Sequence, residues 1–252
     1  MRNPLSFVIC AFIASLLYTA SYSQEWKLAR ISDKDGFVWI RGGQGKDFDV
    51  VDTLYEEEYF YCQPSVSEWW KVHPEKDGNP TGYVHMSRIC LLETLPNVEM
   101  RGFIMKIFKV QEEFARAFVE SLERYDKRKG HWNSVQDSIN YINSRWNVEY
   151  YSDTKYDMAL NILPLYYCKT RDTTVIIQLF HTLWEDRGSA FEGPAWALGY
   201  CFVCEPELTV RSLKYLNNDT KDKAKGMIAF GLNNVCKTRE EEKSLNEILD
   251  KY

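Results

Sequence analysis

Asp35-Gly36-Phe37-Val38-Trp39-Ile40-Arg41, read with Trp69-Trp70-Lys71-Val72 and Gly82-Tyr83-Val84-His85, decides the fold of the first part of the chain. The Asp-Gly pair is a turn, and the residues after it alternate in character. Successive side chains of a strand point to opposite faces, so Val38 and Ile40 on the inner face leave Phe37 and Trp39 facing outward. In the same way Trp70 and Val72 point inward and leave Trp69 and Lys71 outside. Working outward, a glycine-rich loop (Gly42, Gly43, Gly45) separates this strand from Val50-Val51, and Tyr59-Phe60-Tyr61-Cys62 follows. The polar stretch from Glu75 to Pro80 makes one more turn. β-Branched and aromatic runs of this length, punctuated by Gly, Pro, Asn and Asp, predict a small all-β barrel over residues 26–93.

From about Asn97 the period changes. Ile104, Ile107, Phe108, Phe114, Phe118 and Leu122 recur at helical spacing, and a charged turn from Asp126 to Gly130 ends the run. Ser152 or Asp153 is placed to cap a helix through Tyr156, Ala159, Leu160 and Leu163, kinked at Pro164. Asp172 caps Thr173 to Trp184. Ala195 to Cys204 is almost wholly apolar and predicts the most buried helix. Pro206 opens the next one, Asp219 precedes another that runs to Cys236, and Thr238 with Glu241 forms a capping box for the last. Short polar joints between successive helices predict an all-α bundle or irregular solenoid over residues 98–252. The expected fold class is therefore α+β by segregated domains.

The N-terminal residues set the expected compartment. Arg2 precedes an apolar run from Leu5 to Leu17, and the small residues Ser21 and Ser23 precede Gln24. That order predicts a signal peptide over residues 1–23, removed on export to the periplasm or surface of a bacterium. No later segment is apolar for long enough to span a membrane. Loss of Arg2 takes the net charge from −5 to −6. An acidic chain with no basic block is a poor partner for nucleic acid. Six cysteines remain after Cys10: Cys62, Cys90, Cys168, Cys201, Cys204 and Cys236. Most lie among apolar neighbours, where a thiol behaves as a small hydrophobe. Cys62–Cys90 is the expected exception, because both fall within one small domain.

The segment from Asp35 to Ile89 resembles the bacterial SH3-like (SH3b) family. Asp35 to Arg41 is similar to its opening strand, Gly43 and Gly45 fall at its glycine turn, and Val50-Val51-Asp52-Thr53-Leu54 matches its next step. Trp69 to Val72 and Thr81 to His85 match two further strands. Trp39, Gln44 and Glu57 depart from the family's usual Asn, Pro and Gly. The resemblance implies a binding module for peptidoglycan stem peptides or a segment of an envelope protein, with Trp39, Tyr61, Trp69 and Tyr83 as the ligand-binding side chains. Large outward rings suit such ligands because each offers wide apolar area at little entropic cost. The competing expectation is a structural or oligomerisation subunit in which the same rings are covered.

Motifs for catalysis are sparse. The four histidines, His73, His85, His131 and His181, are scattered, with no His-Glu-x-x-His or comparable metal spacing. No nucleophile elbow or phosphate-cradling loop occurs, and no cofactor is implied. Cys201-Phe202-Val203-Cys204 has the spacing of a redox pair, but it lies late in an apolar helix rather than at an exposed helix start. Asp186 and Glu192 flank a small-residue turn near Trp184 and Trp196, an arrangement open to acid/base work in a cell-wall hydrolase. The plainer reading makes Gly188 the end of one helix and Ser189 or Glu192 the start of the next, with solvated charges.

Overall fold

The computed structural model describes residues 26–56, 58–73, 81–126, 130–183 and 192–252. The expected signal peptide lies outside the described residues. The chain forms two compact units that divide between Leu92 and Glu93.

Among the described residues the first unit has seven strands: β1 (Lys27–Ile31), β2 (Phe37–Arg41), β3 (Val50–Tyr55), β4 (Tyr59–Gln63), β5 (Trp69–His73), β6 (Gly82–His85) and β7 (Ile89–Leu91). They pair in the order β3-β2-β6-β5-β4-β1-β7, and every pairing is antiparallel. The expectation of a closed barrel is corrected here. β3 and β7 are the two ends of that order and do not pair, so the sheet is open. Its core is Ala29, Ile31, Val38, Ile40, Leu54, Phe60, Cys62, Val72 and Val84, with Trp70, Ile89 and Leu91 packed against it. The Asp35-Gly36 turn holds Gly36 at φ +74°, a conformation that glycine adopts without steric cost. Gly82 has a different role. A Cβ there would lie 2.3 Å from the Arg41 carbonyl oxygen, so only glycine lets β6 approach β2 where the sheet crosses over.

The second unit is helical: α1 (Asn97–Leu122), α2 (Val135–Tyr151), α3 (Asp157–Thr170), α4 (Thr173–His181), α5 (Gly193–Cys204), α6 (Pro206–Ser212), α7 (Asn218–Val235) and α8 (Arg239–Asp250). A two-stranded ribbon, β8 (Tyr125–Asp126) with β9 (His131–Trp132), stands where the charged turn was expected. Ser152 does not cap a helix. It lies in a π turn, Ser152–Tyr156, that makes α2 and α3 continuous, and its buried hydroxyl accepts from Gln111 Nε2 at 2.8 Å. Pro164 lies inside α3 without ending it. Thr238 accepts from the Glu241 N–H, while Glu241 reaches back to the N–H of Lys237, one residue before the usual capping-box partner. α5 buries Ala195, Ala197, Leu198, Gly199, Cys201 and Phe202, as its composition predicts. Among the described residues no helix is long and apolar enough to cross a membrane.

Asp172 performs the expected cap and more. Its carboxylate accepts from the Thr174 N–H and hydroxyl, from the Tyr166 hydroxyl and from Arg101. Burial pushes the Asp172 carboxyl up, but these donors more than offset it and hold the group below its ordinary value. A depressed folded-state value gives stability that is present above the unfolded value, about pH 4, and lost as pH falls through the folded one. Asp172→Ala is expected to cost about 2 kcal/mol at pH 7. That difference from the parent should shrink in urea titrations run below pH 4, and a difference that stays constant with pH would refute this account.

Candidate functional site

A groove of about 420 Å³ lies in the first unit, lined by Asp33, Asp35, Phe37, Val38, Trp39, Arg41, Lys46, Trp69, Val84, His85, Ser87 and Arg88. Three elements build it. β2 supplies Phe37, Trp39 and Arg41 from its outer face, because Val38 and Ile40 take the core. Strands β5 and β6 add Trp69 and His85, which are direct cross-strand partners and meet edge to face at 5.4 Å. The turn after β1 brings in Asp33 and Asp35, opposite the 3-10 turn Met86–Arg88. Backbone pairing of the Ser32 N–H with the Arg88 carbonyl at 2.8 Å ties these two turns together.

The polar groups are held in place. The Asp33 side chain is only 2% exposed; it ion-pairs with Arg88 and accepts from the Asp35 N–H at 3.0 Å. Arg88 is half exposed and lines the groove, and a guanidinium has more donors than this one pair uses. His85 Nδ1 accepts from the Ser87 N–H at 3.3 Å, and Nε2 points to the Glu68 carboxylate at 3.6 Å. Arg41 donates to the Phe48 carbonyl at 2.7 Å while its guanidinium lies 5.6 Å from the Trp39 ring centroid. Phe37 and Trp39 rings lie 6.0 Å apart, and Trp39 is 52% exposed. The result is an aromatic surface edged by two carboxylates and three permanent cations. It suits an extended ligand with polar groups along an apolar body, and the excess of cations favours carboxylates on that ligand.

Of the four rings expected to bind, Trp39 and Trp69 come together in the groove. Tyr83 shares their outer face, opposite Arg41 and Lys71, but does not line the groove. Tyr61 is a correction. It is 5% exposed and its cross-strand partner Leu28 7%, so the second face of β1 and β4 is covered there. Among the cysteines the general expectation of unpaired thiols is met at Cys62 and Cys90, the pair singled out as its exception, and is corrected at Cys168 and Cys204, which a disulfide joins with their Cα atoms 5.8 Å apart. Cys204 is therefore no redox partner of Cys201, which is fully buried, with its thiol pushed well up by desolvation. Of the acid/base pair, Asp186 falls outside the described residues, and Glu192 is exposed at the start of α5. Asp33, His85 and Arg88 line the groove without being among the ring residues the sequence points to. His85 could have been found by extending to β6 the alternation that turned Trp69 outward. Among the described residues, no three His, Cys, Asp or Glu side chains gather as metal ligands.

No family model matches the chain, and no curated protein or solved structure shows significant similarity to it.

Proposed function

We propose that this protein is an exported, non-catalytic binding protein of the bacterial cell envelope. In this reading its first unit is an SH3b-like module that holds a peptidoglycan stem peptide in the groove, and the helical unit is its scaffold. One observation carries the reading: Trp39 and Trp69, thirty residues apart in sequence, line a single groove with charged side chains of both signs. Stem peptides are short, extended and rich in carboxylates. The rings would cover their apolar side chains, and Arg88, Arg41 and Lys46 would meet their acids. Export is supported by the order of residues at the N-terminus and by the Cys168–Cys204 bond, since disulfides persist in oxidising compartments. A segment of an envelope protein would use the same groove.

Co-sedimentation with purified sacculi tests the proposal. Trp39→Ala and Trp69→Ala should each weaken retention by about 30-fold, the effect of a central aromatic anchor worth about 2 kcal/mol. Trp39 is exposed enough for its removal to leave the unfolding midpoint nearly unchanged. Retention indifferent to both changes would rule out this groove, and retention by an envelope protein but not by sacculi would select the protein segment.

A further inference from the structure

α2 is apolar on two opposite sides. One side packs on α1: the Phe118 and Tyr141 rings lie 5.6 Å apart, those of Phe114 and Tyr151 5.3 Å apart, and Ser121 and Ser144 hydroxyls 3.1 Å apart. Val148, the buried residue of the helix, belongs to this side. At about 100° per residue, Val135, Ile139, Ile142, Trp146 and Tyr150 fall diametrically opposite. All five are exposed, Val135 at 78%, Ile142 at 62% and Trp146 at 66%. A surface helix that packs on one side ordinarily turns polar residues outward. This one turns out a second apolar stripe, with Trp146 and Tyr150 stacked at 6.2 Å.

We infer that the stripe is the contact of a homodimer, in which α2 packs antiparallel on the α2 of a second copy about a two-fold axis near Ile142. Spacing supports it first. The five residues are four, three, four and four positions apart, the near-heptad pattern of two helices crossing at a shallow angle. Size supports the antiparallel sense. Pairing about Ile142 sets Ile139 opposite the second copy's Trp146 and Val135 opposite its Tyr150, small against large, whereas parallel pairing would set Trp on Trp. Area is sufficient: the exposed parts of these side chains come to about 500 Å² per copy, at the upper end of what a monomer leaves in water. Full coverage of both stripes would bury about 1,000 Å², the lower limit for a biological interface.

The flanks are compatible as well. Like flanks meet in an antiparallel pair. One flank of the stripe carries Gln136, Asn140, Asn143 and Asn147, with no charge, and Gln136 Nε2 already donates to Asn140 at 2.9 Å. On the other flank Arg145 and Glu149 neutralise each other at 2.8 Å. The contact is isologous and closes on itself, so it gives a dimer rather than a filament.

Light-scattering mass and sedimentation of the purified protein at micromolar concentration test the inference. The expected mass is twice that of one chain. Ile142→Glu should raise the dimer dissociation constant by roughly 100-fold or more, since it sets two carboxylates face to face at the axis, and Trp146→Ala should weaken it as well. Both sites are exposed, so circular dichroism should stay unchanged. Ile142→Cys should cross-link to itself on oxidation, while Val135→Cys should cross-link only to a Tyr150→Cys chain mixed with it. A monomeric parent protein would overturn the inference and leave the stripe to a different protein or a lipid surface. A dimer indifferent to Ile142→Glu, or Val135→Cys cross-linking to itself, would also overturn it.

Discussion

Opening the Cys168–Cys204 bond, by reductant or by paired Cys168→Ser and Cys204→Ser changes, is expected to lower the stability of the helical unit by about 4 kcal/mol. The bond spans 36 residues and ties the last turn of α3 to the end of α5. Closing a loop of that length removes entropy from the unfolded chain, and the logarithmic dependence on length gives the figure. In thermal unfolding this corresponds to a fall of the midpoint on the order of 10 °C. The two units make the test specific. The transition of the sheet unit should not move with reductant, because Cys62 and Cys90 are not disulfide-bonded, and the double Ser variant should not respond to reductant at all. Denatured, unreduced protein should titrate two thiols fewer than reduced protein. Equal thiol counts, or a helical transition blind to reductant, would show that the bond does not form or does not stabilise.

How much of this was legible in the sequence depends on how far each feature reaches. The inward Val38 and Ile40 and the outward Phe37 and Trp39 were legible because strand alternation is a local rule. Tyr61 obeys the same alternation and is nevertheless buried, since what covers the second face of β4 is tertiary. The groove was half legible. Trp39 and Trp69 follow from alternation, but Asp33 and Arg88 meet only because one turn pairs with another across the unit. In the helical half, Asp172 and Thr238 could be read because a cap acts within one turn. α2 was obscured by its two apolar sides, whose periods overlap and blur any single face. Ser152 carries the residue type of a cap yet is spent on Gln111 inside a continuous helix. Cysteine connectivity was illegible for a plainer reason: six thiols allow many pairings, and only the packing of α3 and α5 brings Cys168 to Cys204.

Gly231→Ala should be as damaging as loss of the disulfide, with a destabilisation of about 3 kcal/mol or more. α5 and α7 cross at a pair of glycines. A Cβ on Gly231 would lie 2.0 Å from the Ala195 carbonyl oxygen, and one on Gly199 would lie 2.7 Å from the Gly231 carbonyl carbon. Both obstructing atoms are backbone, so no rotamer change relieves the contact. The helices would have to separate along a seam where Leu198, Phe202, Ile228 and Leu232 are fully buried, giving up dispersion contacts along its length. The same substitution at Gly226, five residues earlier in α7, meets nothing within 4 Å. There alanine's better helix propensity should act alone and raise stability by about 0.5–1 kcal/mol. Two identical chemical changes in one helix therefore have opposite predicted signs, and urea unfolding of both variants reads the crossing directly. If Gly231→Ala matched Gly226→Ala in stability, α5 and α7 could not approach as closely as this fold requires.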